Sequence, residues 1–202
     1  MKKPHSSQTQ SFADQVLDTV ETVITSVLLV ICLFTFVFKM VTVSGESMED
    51  TLADGDRIFV WNFFYTPKNG DIIVVRSDVL DKRIVKRVIA VSGQKVTVDY
   101  DNNTVYVCDK DKEPTQSDKL NENYIKQTDI KDPETYFSED HFDKEKNRYV
   151  YTVPVGYVFV MGDNRNESTD SRALGLIDLN NVDGKAVFRY ASPVGNKKLG
   201  FL

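Results

Sequence analysis

The sequence predicts a mostly β protein: an antiparallel β-rich domain carrying a smaller inserted subdomain and preceded by one amino-terminal transmembrane helix. Three observations predict it. One uncharged apolar run, Val23 to Phe38, lies near the amino terminus; short β-branched and aromatic runs broken by turn residues follow; and the stretch from Asp109 to Asn147 is charged and rich in Asn and Asp.

Residues 1–19 are polar, with an amphipathic stretch from Phe12 through Val16 and Thr19 suited to a membrane surface. The apolar run extends to about Val20 and Val43, near the ~20 residues that cross a bilayer, so the anchor is read as 20–43 with Glu21 and Lys39 toward the two interfaces. A cleaved leader is the alternative, since Lys2 and Lys3 precede the run. Against it, the run is long for a secretory leader, and Lys39-Met40-Val41-Thr42-Val43 is no small-x-small cleavage site. Lys2 and Lys3 favour a cytoplasmic amino terminus, which places the rest of the chain outside the cytoplasm.

Beyond the anchor, the runs Arg57–Phe64, Asp71–Arg76, Arg83–Val91, Lys95–Asp99, Thr104–Cys108, Tyr149–Val153, Tyr157–Met161 and Lys185–Tyr190 read as strands. Asp54-Gly55, Asn69-Gly70 and Ser92-Gly93 separate them as turns. The polar stretch divides this region into a first part, 44–108, an insertion, 109–147, and a second part, 148–202.

A chain of 202 residues has room for the anchor plus one large or two small domains. Its net charge of −5 has no basic stripe to neutralise a phosphate backbone, so nucleic acid is excluded as a partner. Cys32 lies in the apolar run and Cys108 in a polar stretch, which argues against a disulfide between them. No Cys/His cluster has zinc-ligand spacing, and no metal or organic cofactor is expected.

Hydrolytic chemistry by serine usually needs a histidine base. The two here are His5, in the polar tail, and His141, in the polar insertion; both read as solvated residues. Lysine is the remaining candidate, because a neutral buried lysine can deprotonate serine. Three segments qualify as parts of a site. In Ser44-Gly45-Glu46-Ser47-Met48-Glu49-Asp50-Thr51-Leu52, Gly45 permits close substrate approach and the Ser47 N–H is placed to help bind an oxyanion. Taken alone, Gly-x-Ser also marks ordinary turns. In Ile84-Val85-Lys86-Arg87-Val88-Ile89-Ala90 a lysine sits within a β-branched strand, where burial favours its neutral form. A fall of its pKa from about 10.4 to ~8 raises the neutral fraction at pH 7 from about one in 2,500 to about one in ten. Strand alternation sends Arg87 to the opposite face; a lysine on the solvent face of an edge strand is the competing reading. Gly162-Asp163-Asn164-Arg165-Asn166-Glu167-Ser168-Thr169-Asp170-Ser171-Arg172-Ala173-Leu174-Gly175 is a turn-rich run dense in hydrogen-bonding groups, as a solvated loop or a catalytic support would be.

In this order the three segments resemble the motifs of type I signal peptidases, approximately S-M-x-P-T, K-R-V and G-D-N-R-x-x-S-x-D-S-R-x-x-G, and the third match is complete. The resemblance covers the anchor and the chain outside 109–147. It implies a membrane-bound serine endopeptidase, with Ser47 as nucleophile and Lys86 as general base, that removes signal peptides from exported preproteins after Ala-x-Ala. It further implies that Ser168 hydrogen-bonds Lys86, that Asp170 pairs with Arg172 and Arg87, and that the Ser47 N–H holds the oxyanion. Gly45 stands where some members carry an assisting hydroxyl. The implied partners are exported preproteins, the lipid bilayer and the secretion translocon.

The sequence departs from the pattern at Asp50, where the motif has proline, and at Ser92 and Gln94, where the family often has proline and aspartate. Two other readings follow: a catalytically silent membrane paralogue that binds preproteins or partner subunits, supported by Asp50, and a self-cleaving Ser-Lys repressor. The repressor lacks its DNA-binding helices here, since an apolar run precedes Ser47. The run Trp61, Phe63, Phe64 and Tyr65 suits either a lipid surface or a core.

Overall fold

The computed structural model describes residues 11–49, 51–125, 141–143, 145, 147–195 and 198–202. Lys2, Lys3, His5 and Asp50 lie outside the described residues, as does much of the expected 109–147 insertion.

Helix α1 (Phe12–Val37) is 26 residues long. At about 1.5 Å per residue it exceeds the ~30 Å of a bilayer's hydrocarbon core. Its first turn is closed by the Asp14 carboxylate, which accepts the Ser11 N–H at 3.1 Å. The hydroxyls of Thr19, Thr22, Ser26 and Thr35 donate to carbonyls four residues back, so these polar groups are satisfied within the helix and suit an apolar surrounding. Phe12–Cys32 is long and apolar enough to cross a membrane, and none of its most apolar window is buried by protein. The expected span of 20–43 is shifted. No Gly or Pro interrupts 12–37, so the amphipathic stretch joins the helix, whereas Phe38–Thr42 is extended and pairs in a sheet.

From Lys39 onward the chain forms a second compact unit. The strands are β1 (Phe38–Thr42), β2 (Arg57–Trp61), β3 (Ile72–Ser77), β4 (Lys82–Val91), β5 (Gln94–Asp99), β6 (Thr104–Asp109), β7 (Phe142–Asp143), β8 (Arg148–Thr152) and β9 (Tyr157–Met161). Helix α2 (Ser171–Leu174) precedes β10 (Ile177–Asp178), β11 (Val182–Ala191) and β12 (Gly200–Phe201). An eight-stranded sheet runs β1-β2-β11-β3-β4-β9-β10, with β12 paired to β11, and a four-stranded sheet runs β6-β5-β8-β7. The strand pairings in both sheets are antiparallel from β2 onward.

Strand β4 shows why the apolar runs read as they do. Ile84 to Lys86 and Val88 to Ala90 are all buried, because clusters cover both faces. Val85 packs with Met48, Leu52, Ile58 and Val74, and Ile84 and Val88 pack with Ile73, Val75 and Val160. Ile89 and Ala90 join the core of the four-stranded sheet, where the rings of Tyr149, Tyr151 and Phe159 pack tilted in series at 4.7 and 5.1 Å.

The second sheet spans the expected boundaries at 108/109 and 147/148. It begins at Gln94, immediately after the Ser92-Gly93 turn, and takes in β5, β6 and β8, which the sequence reading gave to the flanking parts. Gly93 adopts φ +87° in the turn that carries the chain from β4 in one sheet to β5 in the other. Gln94 has a local role, accepting the Val91 N–H at 2.9 Å on its side-chain oxygen. His141, which is exposed, packs its ring tilted against Tyr151 at 4.4 Å.

Candidate active site

Ser47 and Lys86 meet. Lys86 Nζ donates to Ser47 Oγ at 2.5 Å, across 39 residues of sequence. Alternation along β4 puts Lys86 on the same face as Ile84 and Val88, and the side chain is almost wholly enclosed, with 2% of the residue exposed. Burial is the largest influence on its pKa, which falls from 10.5 to about 8; Lys82 and Arg172 push the same way, and Asp170 and Asp163 oppose. A lysine of this kind is substantially neutral at mildly alkaline pH, and it already touches the hydroxyl it would deprotonate.

The turn bearing Ser47 is docked on the loop after β9. Asn164 N–H donates to the Ser47 carbonyl at 3.0 Å, and Asn164 Nδ2 donates to the Glu46 carbonyl at 3.1 Å. Thr51 Oγ1 donates to Asp163 at 2.5 Å, and Met48 and Leu52 fill the core beneath. Gly45, at φ +92°, faces open space, and its amide is bonded to Asp54 at 2.7 Å. The Ser47 N–H has no hydrogen-bond partner among the described residues.

Gly162 is where these parts touch. A Cβ there would lie 2.3 Å from Ser168 Oγ and 2.4 Å from the Ser47 carbonyl oxygen, so only glycine fits without displacing the turn that bears Ser47. Gly162→Ala is therefore expected to lower kcat about a hundredfold, the usual cost of an ångström of misplacement, and far more than it lowers Tm. Peptide cleavage and thermal melting of the same preparation check this.

The loop itself is held by two buried ion pairs. Asp170, fully buried, receives Arg172 Nε at 2.8 Å and Nη2 at 2.9 Å, Gly162 N–H at 2.9 Å and Ser168 Oγ at 2.7 Å. Burial works to raise its pKa, but the charge and hydrogen bonds of Arg172, with those of Gly162 and Ser168, outweigh it and hold the carboxyl below its ordinary value. Ser171 Oγ takes the Val160 N–H at 2.9 Å, tying α2 to β9. Asp163 receives Arg87 at 2.8 and 2.6 Å.

Two expectations are corrected. Arg87 pairs with Asp163 and not with Asp170, because its side chain leaves the face opposite Lys86, where Asp163 and Thr51 lie. Lys86 and Ser168 are not hydrogen-bonded to each other: Lys86 donates to Ser47, and Ser168 donates to Asp170. The structure thus gathers Ser47, Lys86, Ser168, Asp170 and Arg172 and adds Gly162, Asp163, Asn164 and Thr51. The density of hydrogen-bonding groups in 162–175 was the signal for Asp163 and Asn164, whereas Thr51 lies in the segment that carries Ser47.

A family model described as "Signal peptidase, peptidase S26" matches residues 16–191. A signal peptidase I of Bacillus licheniformis is 33% identical over 186 residues, covering 87% of this chain and 88% of that protein. A signal peptidase IB of Staphylococcus aureus is 35% identical over 162 residues, covering 77% and 78%. A crystal structure of a signal peptidase I from Enterococcus faecalis aligns at 27% identity and a TM-score of 0.43, covering 61% of this chain and 98% of that one. The chain belongs to the type I signal peptidase family, the serine endopeptidases that remove signal peptides from exported preproteins.

Proposed function

We propose that Ser47 is the nucleophile and Lys86 the general base of a membrane-anchored signal peptidase I that cleaves exported preproteins after Ala-x-Ala. The single observation that carries this is the contact between Ser47 Oγ and a buried lysine whose pKa lies near 8. Neutral Lys86 takes the Ser47 proton as Oγ attacks the scissile carbonyl. The oxyanion is held by the unengaged Ser47 N–H. Lys86 passes the proton to the leaving amine, then deprotonates the water that hydrolyses the acyl-enzyme and regenerates both groups. Asp170 and Arg172 hold Ser168 and Gly162 against the nucleophile turn, and Arg87 with Asp163 holds it through Thr51.

Strand geometry supports the specificity. On its β9 side β4 is paired only from Arg87 onward, so Lys82 to Lys86 present an open strand edge beside Ser47 among the described residues. An extended substrate adding there places the residues one and three before the cut toward the enzyme and the one between away from it. Approach close enough for attack leaves room at the first position for alanine-sized groups.

In this reading α1 crosses the cell membrane once, the amino terminus is cytoplasmic, and the domain from Lys39 works on the outer face, where the translocon delivers precursors. Incubating the purified full chain and its Ser47→Ala variant with a secreted precursor, and sequencing the new amino terminus, tests it. A cut after Ala-x-Ala by the wild type alone is expected. No cut by either favours a silent preprotein-binding paralogue, and equal kcat/KM for alanine and phenylalanine before the cut removes the pocket.

A further inference from the structure

The active-site loop is gripped from outside by a segment with polar composition and no motif. Arg165 is almost fully buried; its Nε donates to the Gly162 carbonyl at 3.0 Å, and its carbonyl accepts Arg172 Nη2 at 2.5 Å. Its other two nitrogens go to Glu122: Nη1 donates to Oε2 at 2.9 Å, and Nη2 donates to Oε1. Tyr124, two residues on, donates its hydroxyl to Glu122 at 2.9 Å, and its ring lies 3.9 Å beneath the Arg87 guanidinium. Glu122 thus touches one arm of the site directly and the other through Tyr124. Arg165 leads to Gly162 and Arg172, and Arg87 leads to Asp163 and Thr51. The segment is anchored in turn on the second sheet, where Leu120 N–H donates to Val105 at 2.9 Å and Lys119 bridges Tyr106.

We infer that Glu122 is a positioning residue for catalysis, holding the 162–172 loop in register with Ser47 and Lys86 through Arg165 and Tyr124. This rests on the Ser47–Lys86 reading. A buried guanidinium needs a carboxylate partner, and with Glu122 gone Arg165 must move or draw in water, carrying Gly162 and the nucleophile turn with it. The effect reaches Lys86 through its enclosure. The groups that face it are Ser47, Asp170, Asp163, Lys82 and Arg172, and a displaced loop hydrates it among them.

The test measures kcat, KM, the pH dependence of kcat/KM and Tm for detergent-solubilised full-length wild type, Glu122→Ala, Glu122→Gln, Glu122→Asp and Ser47→Ala, on one Ala-x-Ala peptide. Glu122→Ala is expected to lower kcat by about 10- to 100-fold, to change KM by less than about threefold and to move the acidic limb to higher pH. Glu122→Gln, which keeps one acceptor for Arg165 but not the charge, should fall between Glu122→Ala and wild type in kcat. If Glu122→Ala does not fold, Glu122→Asp decides, since retracting the carboxylate by one methylene should reproduce the kcat loss in part. A folded Glu122→Ala, or in its place Glu122→Asp, with wild-type kcat and limb overturns the inference, whatever its Tm. An active Ser47→Ala overturns the catalytic reading instead.

Discussion

Replacing Lys86 by Met is expected to abolish turnover while making the domain more stable at pH 7. Turnover is lost because, among the described residues, no other base is hydrogen-bonded to Ser47 Oγ. Stability rises because the lysine's folded pKa, about 8, lies below its ordinary 10.5. Between those values the unfolded chain holds the proton that the folded chain has released, so the wild type gains stability as pH rises from 8 to 10.5 and carries the full penalty below 8. At 1.36 kcal/mol per pKa unit the penalty is about 3 kcal/mol, and losing the bond to Ser47 returns about 1 kcal/mol of it. Met therefore stabilises by roughly 2 kcal/mol at pH 7, and that advantage disappears above pH ~10.5. Urea unfolding of both proteins at pH 7 and pH 10 measures it. Ser47→Ala should be as inactive as Lys86→Met.

Asp170→Ala is expected to have the largest destabilising effect, about 3 to 5 kcal/mol, because it leaves Arg172 buried without a counter-charge and strips partners from Gly162 and Ser168. Activity falls with it. The pH dependence has the same sign as that of Lys86 but falls at acid pH, since both folded pKa values are lowered. Asp170 is held below its ordinary carboxyl value of 3.8, so its contribution is present above that pH and lost as pH falls through the folded pKa. The variant should lack this part of the wild-type acid transition. Urea midpoints between pH 2 and 7 check it, and a variant as stable as wild type at pH 7 contradicts the role given to the pair.

The elements most legible in the sequence were those with a period or an unbroken run. Tyr157–Met161 is a strand with those bounds, and Lys86 is legible as a buried lysine because β-branched residues flank it on a strand covered on both faces. The two-residue strands β7, β10 and β12 are too short to carry a pattern. Phe38–Thr42 was absorbed into the anchor because its apolar residues look alike in a helix end and in a strand. The second sheet was invisible as a unit: β5, β6 and β8 have the same composition as their neighbours, and only pairing separates them. Alternation gave the face of Arg87, but its choice between Asp163 and Asp170 depends on how the loop folds back on β9. Glu122 and Tyr124 had no signal. Their role exists only once the segment after β6 reaches Arg165 and Arg87, and polar composition says nothing of where a segment reaches.

The central claim is that Lys86 is the base. Its most direct test is the pH dependence of kcat/KM for the wild type and His141→Ala on an Ala-x-Ala peptide. Only neutral Lys86 accepts the Ser47 proton, so activity should climb with pH along a limb near 8, the same in both proteins. A limb that instead disappears in His141→Ala, or activity that is flat from pH 6 to 10, contradicts the assignment.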